Sequence, residues 1–242
     1  MSTVPPSKRQ PLTDFIAPVC EALVEVLYQD DDIMLINKPS GLLSVSGTHP
    51  LNWDSVYYRL LNGQAGATPA FAEAKLPHRL DIGTSGIMLV GLHAAATRQL
   101  NMQFQERAIQ RRYMAVLEGW LAHDQGQISA PIGKDKSIFP RVKICHDTGK
   151  QAITEYRVLQ RLEAPRRTVV EFVPLTGRTH QLRIHSLVAG HPILGCELYS
   201  SAQSEQLAER LLLHASDIFF QHPTSGEQIH GQCPCPFYTP GE

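Results

Sequence analysis

A chain of 242 residues, 43% hydrophobic and 19% charged, carries enough apolar material for one sizeable core. No apolar run is long enough to span a bilayer and the opening MSTVPPSKRQPLTDF lacks the apolar heart of a secretory leader, so a membrane role is not expected and the cytoplasm is. The net charge of −1 hides a segregation: residues 1–75 hold 5 Lys/Arg against 8 Asp/Glu, residues 76–190 hold 16 against 9, and residues 191–242 hold 1 against 6. A basic middle between acidic ends reads equally well as a solvated face or as a surface for a polyanion.

Residues 1–20 are rich in Pro and Ser and are expected to form a flexible tail; 21–242 reads as a single domain. Val24–Gln29 and Ile33–Asn37 are the arms of a hairpin around the turn Asp30-Asp31-Asp32, closed by Lys38-Pro39-Ser40-Gly41. Adjacent carboxylates on such a turn need not converge on one ion, so solvated side chains are expected there. Trp53–Leu61 predicts a short helix and 63–74 a loop. Gly86–Leu92 is a continuous apolar run of strand length, followed by a helix over Ala94–Arg107 with Leu100 and Phe104 on its buried stripe. Tyr113–Gly119, Ala152–Leu159 and Thr168–Val173 predict strands. A helix over Thr179–Ala189 has Thr179 as N-cap and Gly190 and Pro192 as stops, and Leu211–Phe220 gives a last strand. Strands outnumber helices without regular alternation, which predicts an α+β fold on a largely antiparallel mixed sheet. The chain has no glycine-rich nucleotide loop, and its five cysteines (Cys20, Cys145, Cys196, Cys233, Cys235) are odd in number and scattered, unlike a disulfide framework.

Three segments carry candidate chemistry. In Pro77–Gly86 (PHRLDIGTSG), Asp81 sits beside Arg79 in a turn rich in Gly, Thr and Ser that enters a buried strand; the bland alternative is a carboxylate capping its own turn. In Leu175–His185 (LTGRTHQLRIH), Arg178 and Arg183 frame the first turn of a helix; the alternative is ordinary surface ion pairing. His180 and His185 lie about 140° apart on a helix, which argues against a shared metal. Arg111–Gly119 (RRYMAVLEG) alone is only a strand with a basic start.

Together, and in this order, the three segments resemble the catalytic-aspartate, tyrosine and arginine segments of the RluA-type RNA pseudouridine synthases. The resemblance extends to NKPSGLLSVSG (37–47), GHPILG (190–195) and LLLHA (211–215), and so covers residues 24 to 222. With FPRVKICHDTGKQAITEY (139–156) it is greatest to the short dual-specificity branch, which lacks an N-terminal RNA-binding module; residues 1–23 are too few for one. The resemblance implies the pseudouridine synthase fold with its cleft across the sheet, Asp81 as the essential carboxylate, Arg183 as its clamp and Tyr113 against the uracil. It also implies Arg79 as filler of the gap left by a flipped base. His78, Arg178, Lys134, Lys136, Arg141 and Lys143 become RNA-contact candidates. The partner implied is RNA, a tRNA anticodon stem-loop or a large-subunit ribosomal hairpin, bound by a monomer with no cofactor, metal, DNA or membrane. Two departures stand out: Cys196 and Glu197 follow Gly195 where the family has an Asp, and the end of the chain reads Cys233-Pro234-Cys235-Pro236. A catalytically silent RNA binder would not need Asp81, Tyr113 and Arg183 together; a glycosidase would need two carboxylates at the bond. A metal-dependent nuclease would need a carboxylate cluster that the Asp30–Asp32 turn was not expected to form.

Overall fold

The computed structural model describes residues 15–64, 68–135, 140–200, 204 and 207–239. The described part of the predicted tail, 15–20, is irregular and is tied to the body: Asn52 bonds Ala17 N and Phe15 O, and Arg59 donates to Cys20 O.

The strands are β1 (Glu25–Gln29), β2 (Ile33–Lys38), β3 (Ser85–Gly91), β4 (Gln110–Glu118), β5 (Gln125–Ser129), β6 (Ile132–Lys134), β7 (Val142–Ile144), β8 (Ile153–Leu162), β9 (Arg167–Pro174), β10 (Leu213–Gln221) and β11 (Gln228–Gln232). The helices are α1 (Val56–Asn62), α2 (Ala94–Gln105) and α3 (Gln181–Val188). Nine strands form one sheet in the order β1-β2-β3-β10-β4-β9-β8-β5, with β11 on the far half of β10, and β6–β7 is a separate hairpin. Among the named strands of the described residues, the parallel pair is β3 with β10, where Ser85 and Gly86 face His214 and Ala215. The α+β fold and its largely antiparallel sheet are as expected.

Continuous burial of β3 follows from its composition: Ile87, Met88, Leu89 and Val90 are all core residues. Gly86, with φ 113°, has no side chain because a Cβ there would run into the Ala215 backbone. The first helix starts later than predicted because Ser55 caps it, its Oγ accepting Tyr58 N at 3.0 Å. The four unpredicted strands β5, β6, β7 and β11 are three to five residues long, too short or too poor in apolar residues for their pattern to mark a strand.

Candidate active site

Asp81 lies on the turn that delivers the chain into β3, and that turn is fastened from behind by residues 38–44. Ser44 Oγ donates to Leu80 O at 2.7 Å and accepts Leu80 N at 3.1 Å. Ser40 Oγ donates to Gly83 O, and Gly41 N to Ile82 O. Beneath them the fully buried Lys38 places its ammonium on three carbonyls, those of Pro39 (2.8 Å), Leu42 (2.7 Å) and Ile82 (3.1 Å). Burial drives the Lys38 pKa down to about 7, partly offset by Asp81 nearby. The turn closes on itself through Thr84 N to Asp81 O, and Ser85 is then fixed by Arg210 and His214. Asp81 is therefore presented on a backbone with little freedom, its side chain 21% exposed.

The opposite wall is the loop before α3. Thr179 does not cap this helix, contrary to the sequence expectation. The N-cap position is His180, whose backbone is left-handed (φ 52°, ψ 22°) and makes no side-chain cap. Gln181 organises the loop instead: its Oε1 accepts from Thr176 Oγ1 (2.7 Å) and Arg178 N (3.1 Å), and its Nε2 donates to Ile153 O and Thr154 Oγ1. The helix is buried from Gln181 to Ser186, so Arg183 is not the surface ion-pairing residue of the alternative reading. His185 is fully buried, bonded to Thr154 Oγ1 and Ala130 O, and has no part in the cleft.

These walls enclose an open cleft of about 230 Å³ lined by Asp81, Tyr113, Arg79, Arg111, Arg178 and Arg183, among others. Asp81 is the carboxylate among the lining residues and faces four guanidinium groups. Arg183 Nη1 lies 3.7 Å from Asp81 Oδ2 and His180 Nε2 lies 3.8 Å from Oδ1. Burial works against the Arg183 charge, but Cys196 and Asp81 beside it outweigh that cost and raise its pKa. Arg183 Nε donates to Cys196 Sγ at 3.3 Å, while Glu197 is exposed, so the buried thiol and not Glu197 stands by the arginine. Tyr113, 7% exposed on β4 between Ala215 and Phe172, contributes its side chain to the lining.

The structure brings Asp81, Tyr113, Arg183, Arg79 and Arg178 together, with Arg79 exposed at the mouth. His78, an RNA-contact candidate in the sequence, is not among the cleft-lining residues. Its Nε2 accepts Leu89 N at 2.9 Å and its ring stacks on Phe104. Burial, reinforced by Arg111, pushes its pKa down to about 3, so the half-buried ring is neutral. Lys134 and Lys143 are exposed on the β6–β7 hairpin, and Arg141 just before β7 lies over the Tyr199 ring. Lys136 lies outside the described residues. Two cleft residues went unrecognised in the sequence. Arg111 enters the lining with no ion pair among the described residues and a buried Nε without a partner, whereas its neighbour Arg112 is spent on Glu171 and Phe219. His180 was weighed only as a metal ligand.

Among the described residues one group converges as metal ligands do: Asp30, Asp32 and His222. The carboxylates of that turn are thus less solvated than expected, but they converge on histidines. His222 Nδ1 accepts Thr224 N and Ser225 N, so its ring proton sits on Nε2 and is given to Asp30 at 3.1 Å. His93 likewise meets Asp32 at 2.7 Å. With Nε2 protonated, the imidazole has no lone pair left for an ion, and the cluster is a staple between two turns and the start of α2.

Comparison with known proteins points one way. Residues 32–187 match the family described as RNA pseudouridylate synthase. The chain is 45% identical over 212 residues to the Yersinia pestis dual-specificity RNA pseudouridine synthase RluA, covering 88% of this chain and 99% of the relative. It is 41% identical over 220 residues to the Escherichia coli K12 protein of the same name, covering 91% and 97%. Among solved structures, human RNA pseudouridylate synthase domain containing 1 superposes with a TM-score of 0.75 at 28% identity, over 91% of this chain and 87% of the other.

Proposed function

The chain belongs to the RNA pseudouridylate synthase family and is an RNA-modifying isomerase, and on that premise we propose that Asp81 is the carboxylate that drives uridine to pseudouridine. One observation carries the assignment: among the cleft-lining residues a single carboxylate, clamped by a buried arginine, faces the opening. The reaction breaks the N1–C1′ bond, rotates the uracil and joins C5 to C1′; a proton leaves C5 and one is gained at N1, so no net electron or group is exchanged. An ionised Asp81, acting as nucleophile or base, is what this chemistry asks of the protein, and Arg183 beside it favours that ionised state. Tyr113, which lines the cleft, packs on the base and takes part in removing the C5 proton in this reading.

The target uridine must leave its stack to reach Asp81. Arg79, exposed at the mouth two residues away, fills the vacated place with a guanidinium plane. Arg111 and Arg178 take the flanking phosphates, Lys134, Arg141 and Lys143 extend the contact along the hairpin, and Lys136 is a further phosphate-contact candidate. The relatives are named dual-specificity RNA pseudouridine synthases; the resemblance of residues 139–156 adds, as part of this proposal, a tRNA anticodon stem-loop and a large-subunit ribosomal hairpin as substrates and a monomeric protein in the cytoplasm. No helix among the described residues is long and apolar enough to cross a membrane.

The test is pseudouridine mapping of total RNA from cells lacking the gene, complemented with the wild-type chain or with Asp81→Asn. Sites lost on deletion should return with the first and stay absent with the second, while purified Asp81→Asn binds the same RNA with unchanged affinity. Its single-turnover rate should be down by about 10³-fold or more. Substantial turnover by Asp81→Asn removes the assignment.

A further inference from the structure

We propose that His180, held in one tautomer by Tyr199, is the positioning residue for the second oxygen of the Asp81 carboxylate. The inference rests on the reading of Asp81 as the reacting group.

Its basis is a chain of contacts that runs from the β6–β7 hairpin to the cleft. Tyr199 is 1% exposed, and its hydroxyl oxygen accepts Val142 N at 2.7 Å. The hydroxyl proton remains to be given, and His180 Nδ1, at 2.9 Å, receives it. A ring nitrogen that accepts carries no proton, so the neutral imidazole bears its proton on Nε2. That Nε2–H faces Asp81 Oδ1 at 3.8 Å while Arg183 faces Oδ2 at 3.7 Å. The carboxylate is thus addressed from both oxygens by different side chains, and such contacts are often long without substrate and tighten when it binds.

Backbone and charge agree with this role. The left-handed conformation of His180 takes its ring out of the helical row of α3, and histidine enters that region more readily than most residues. Burial lowers the His180 pKa; Asp81 acts in the opposite sense, and Arg183 and Arg79 reinforce the lowering. Tyr199 is the remaining group facing the ring, with Arg141 and Arg183 over its own ring at 5.5 Å each. His180 is therefore neutral at pH 7, able to donate one hydrogen bond without adding a charge that would compete with Arg183. No bond to His180 is made or broken in the isomerisation; it restrains rotation of the carboxylate about its own axis, and misplacement of a reacting group by about 1 Å costs on the order of 10²-fold in rate.

The experiment uses the full chain with ¹⁵N-labelled histidine. Ring nitrogen shifts should show His180 as the Nε2–H tautomer at neutral pH, and Tyr199→Phe should convert it to a mixture. Single-turnover rates at saturating RNA should fall about 10²-fold in His180→Leu, with RNA affinity unchanged. His180→Gln, whose amide N–H reaches the place of Nε2, should recover much of that loss. In Tyr199→Phe the acid limb of the rate profile should move to higher pH, because Nδ1 is then free to take a proton. A wild-type Nδ1–H tautomer, or wild-type turnover by His180→Leu, overturns the proposal. Should His180→Leu not fold, the tautomer and the His180→Gln rate still decide. Asp81→Asn, measured in parallel, separates the cases: if it is inert while His180→Leu is fully active, this inference fails and the assignment of Asp81 stands.

Discussion

The Asp81 turn lines the cleft, the β6–β7 hairpin is joined to it through Tyr199 and His180, and the two are built on opposite plans. Residues 80–84 are held by buried donors and acceptors from 38–44, which pair with Leu80 N and O, Ile82 O and Gly83 O. The hairpin has three residues in each strand, a sheet of its own, and lysines 134 and 143 turned to solvent. A group that must meet a reacting atom needs placement to a fraction of an ångström, whereas a group that meets a phosphate needs charge within reach. The difference predicts that damage to the first region appears in the chemical step and damage to the second in affinity and its salt dependence.

The sharpest probe of the fixed side is Arg183→Lys. The charge is kept but the planar fork that spans Cys196 Sγ and Asp81 Oδ2 is lost, and the single-turnover rate should fall by about 10²-fold or more. Near wild-type turnover would show that charge alone suffices. Ser44→Ala comes next. It leaves the amide and carbonyl of Leu80 unpaired in a buried place, which should cost about 1–3 kcal/mol in urea unfolding and slow the chemistry without altering RNA affinity. A stable variant with slow chemistry would equally support the placement role, whereas unchanged stability and rate would refute it.

Acid should loosen the same side first. His78 precedes the turn with its pKa lowered to about 3, and His214 lies behind Ser85 with its pKa lowered to about 4, burial being the main cause in both. In the unfolded chain both protonate near 6.5, so between about 6.5 and 4 the unfolded state binds more protons and stability falls as pH drops. Hydrogen exchange of amides 80–90, corrected for intrinsic rates, should therefore accelerate from pH 7 to pH 5 while the hairpin changes little. Equal protection at both pH values would show that these histidines are not coupled to the turn. The smallest effect is expected on the other side: Lys134→Gln with Lys143→Gln should leave saturated turnover intact and lower the log–log salt slope of RNA binding by about 0.7–0.9 per lost phosphate contact. An unchanged slope would place the phosphate track elsewhere.

The same contrast governs what the sequence disclosed. Elements that bury an apolar face were legible, since β2, β3 and β4 are rich in Ile, Leu, Val and Met, and β10 carries Leu213, Ile218, Phe219 and Phe220. The three motif segments placed Asp81, Tyr113 and Arg183, and the cleft unites them. The short polar strands were not legible, because their pairing is decided by distant partners and not by their own pattern. His78 was misjudged because a histidine beside Arg79 looks exposed until Leu89 N and Phe104 are seen to enclose it. Arg111 and Arg112 were indistinguishable in sequence; alternation along β4 sends one to the cleft and the other to Glu171. The partner of Arg183 at Cys196 depended on which residue after Gly195 turns inward, and only tertiary packing decides that.

The parallel pairing of β3 with β10 joins residues 85 and 214, and β10 is itself completed by β11, which ends at Gln232. During synthesis, Asp81 emerges from the ribosome long before the strand that braces the exit from its turn. Domains form as units while the chain grows from its N-terminus, and contacts this distant in sequence close late. A nascent chain with residues 213–232 still in the exit tunnel carries the whole catalytic motif but no assembled cleft. The order of the strands along the chain thus makes the bracing of the Asp81 turn a late step of folding.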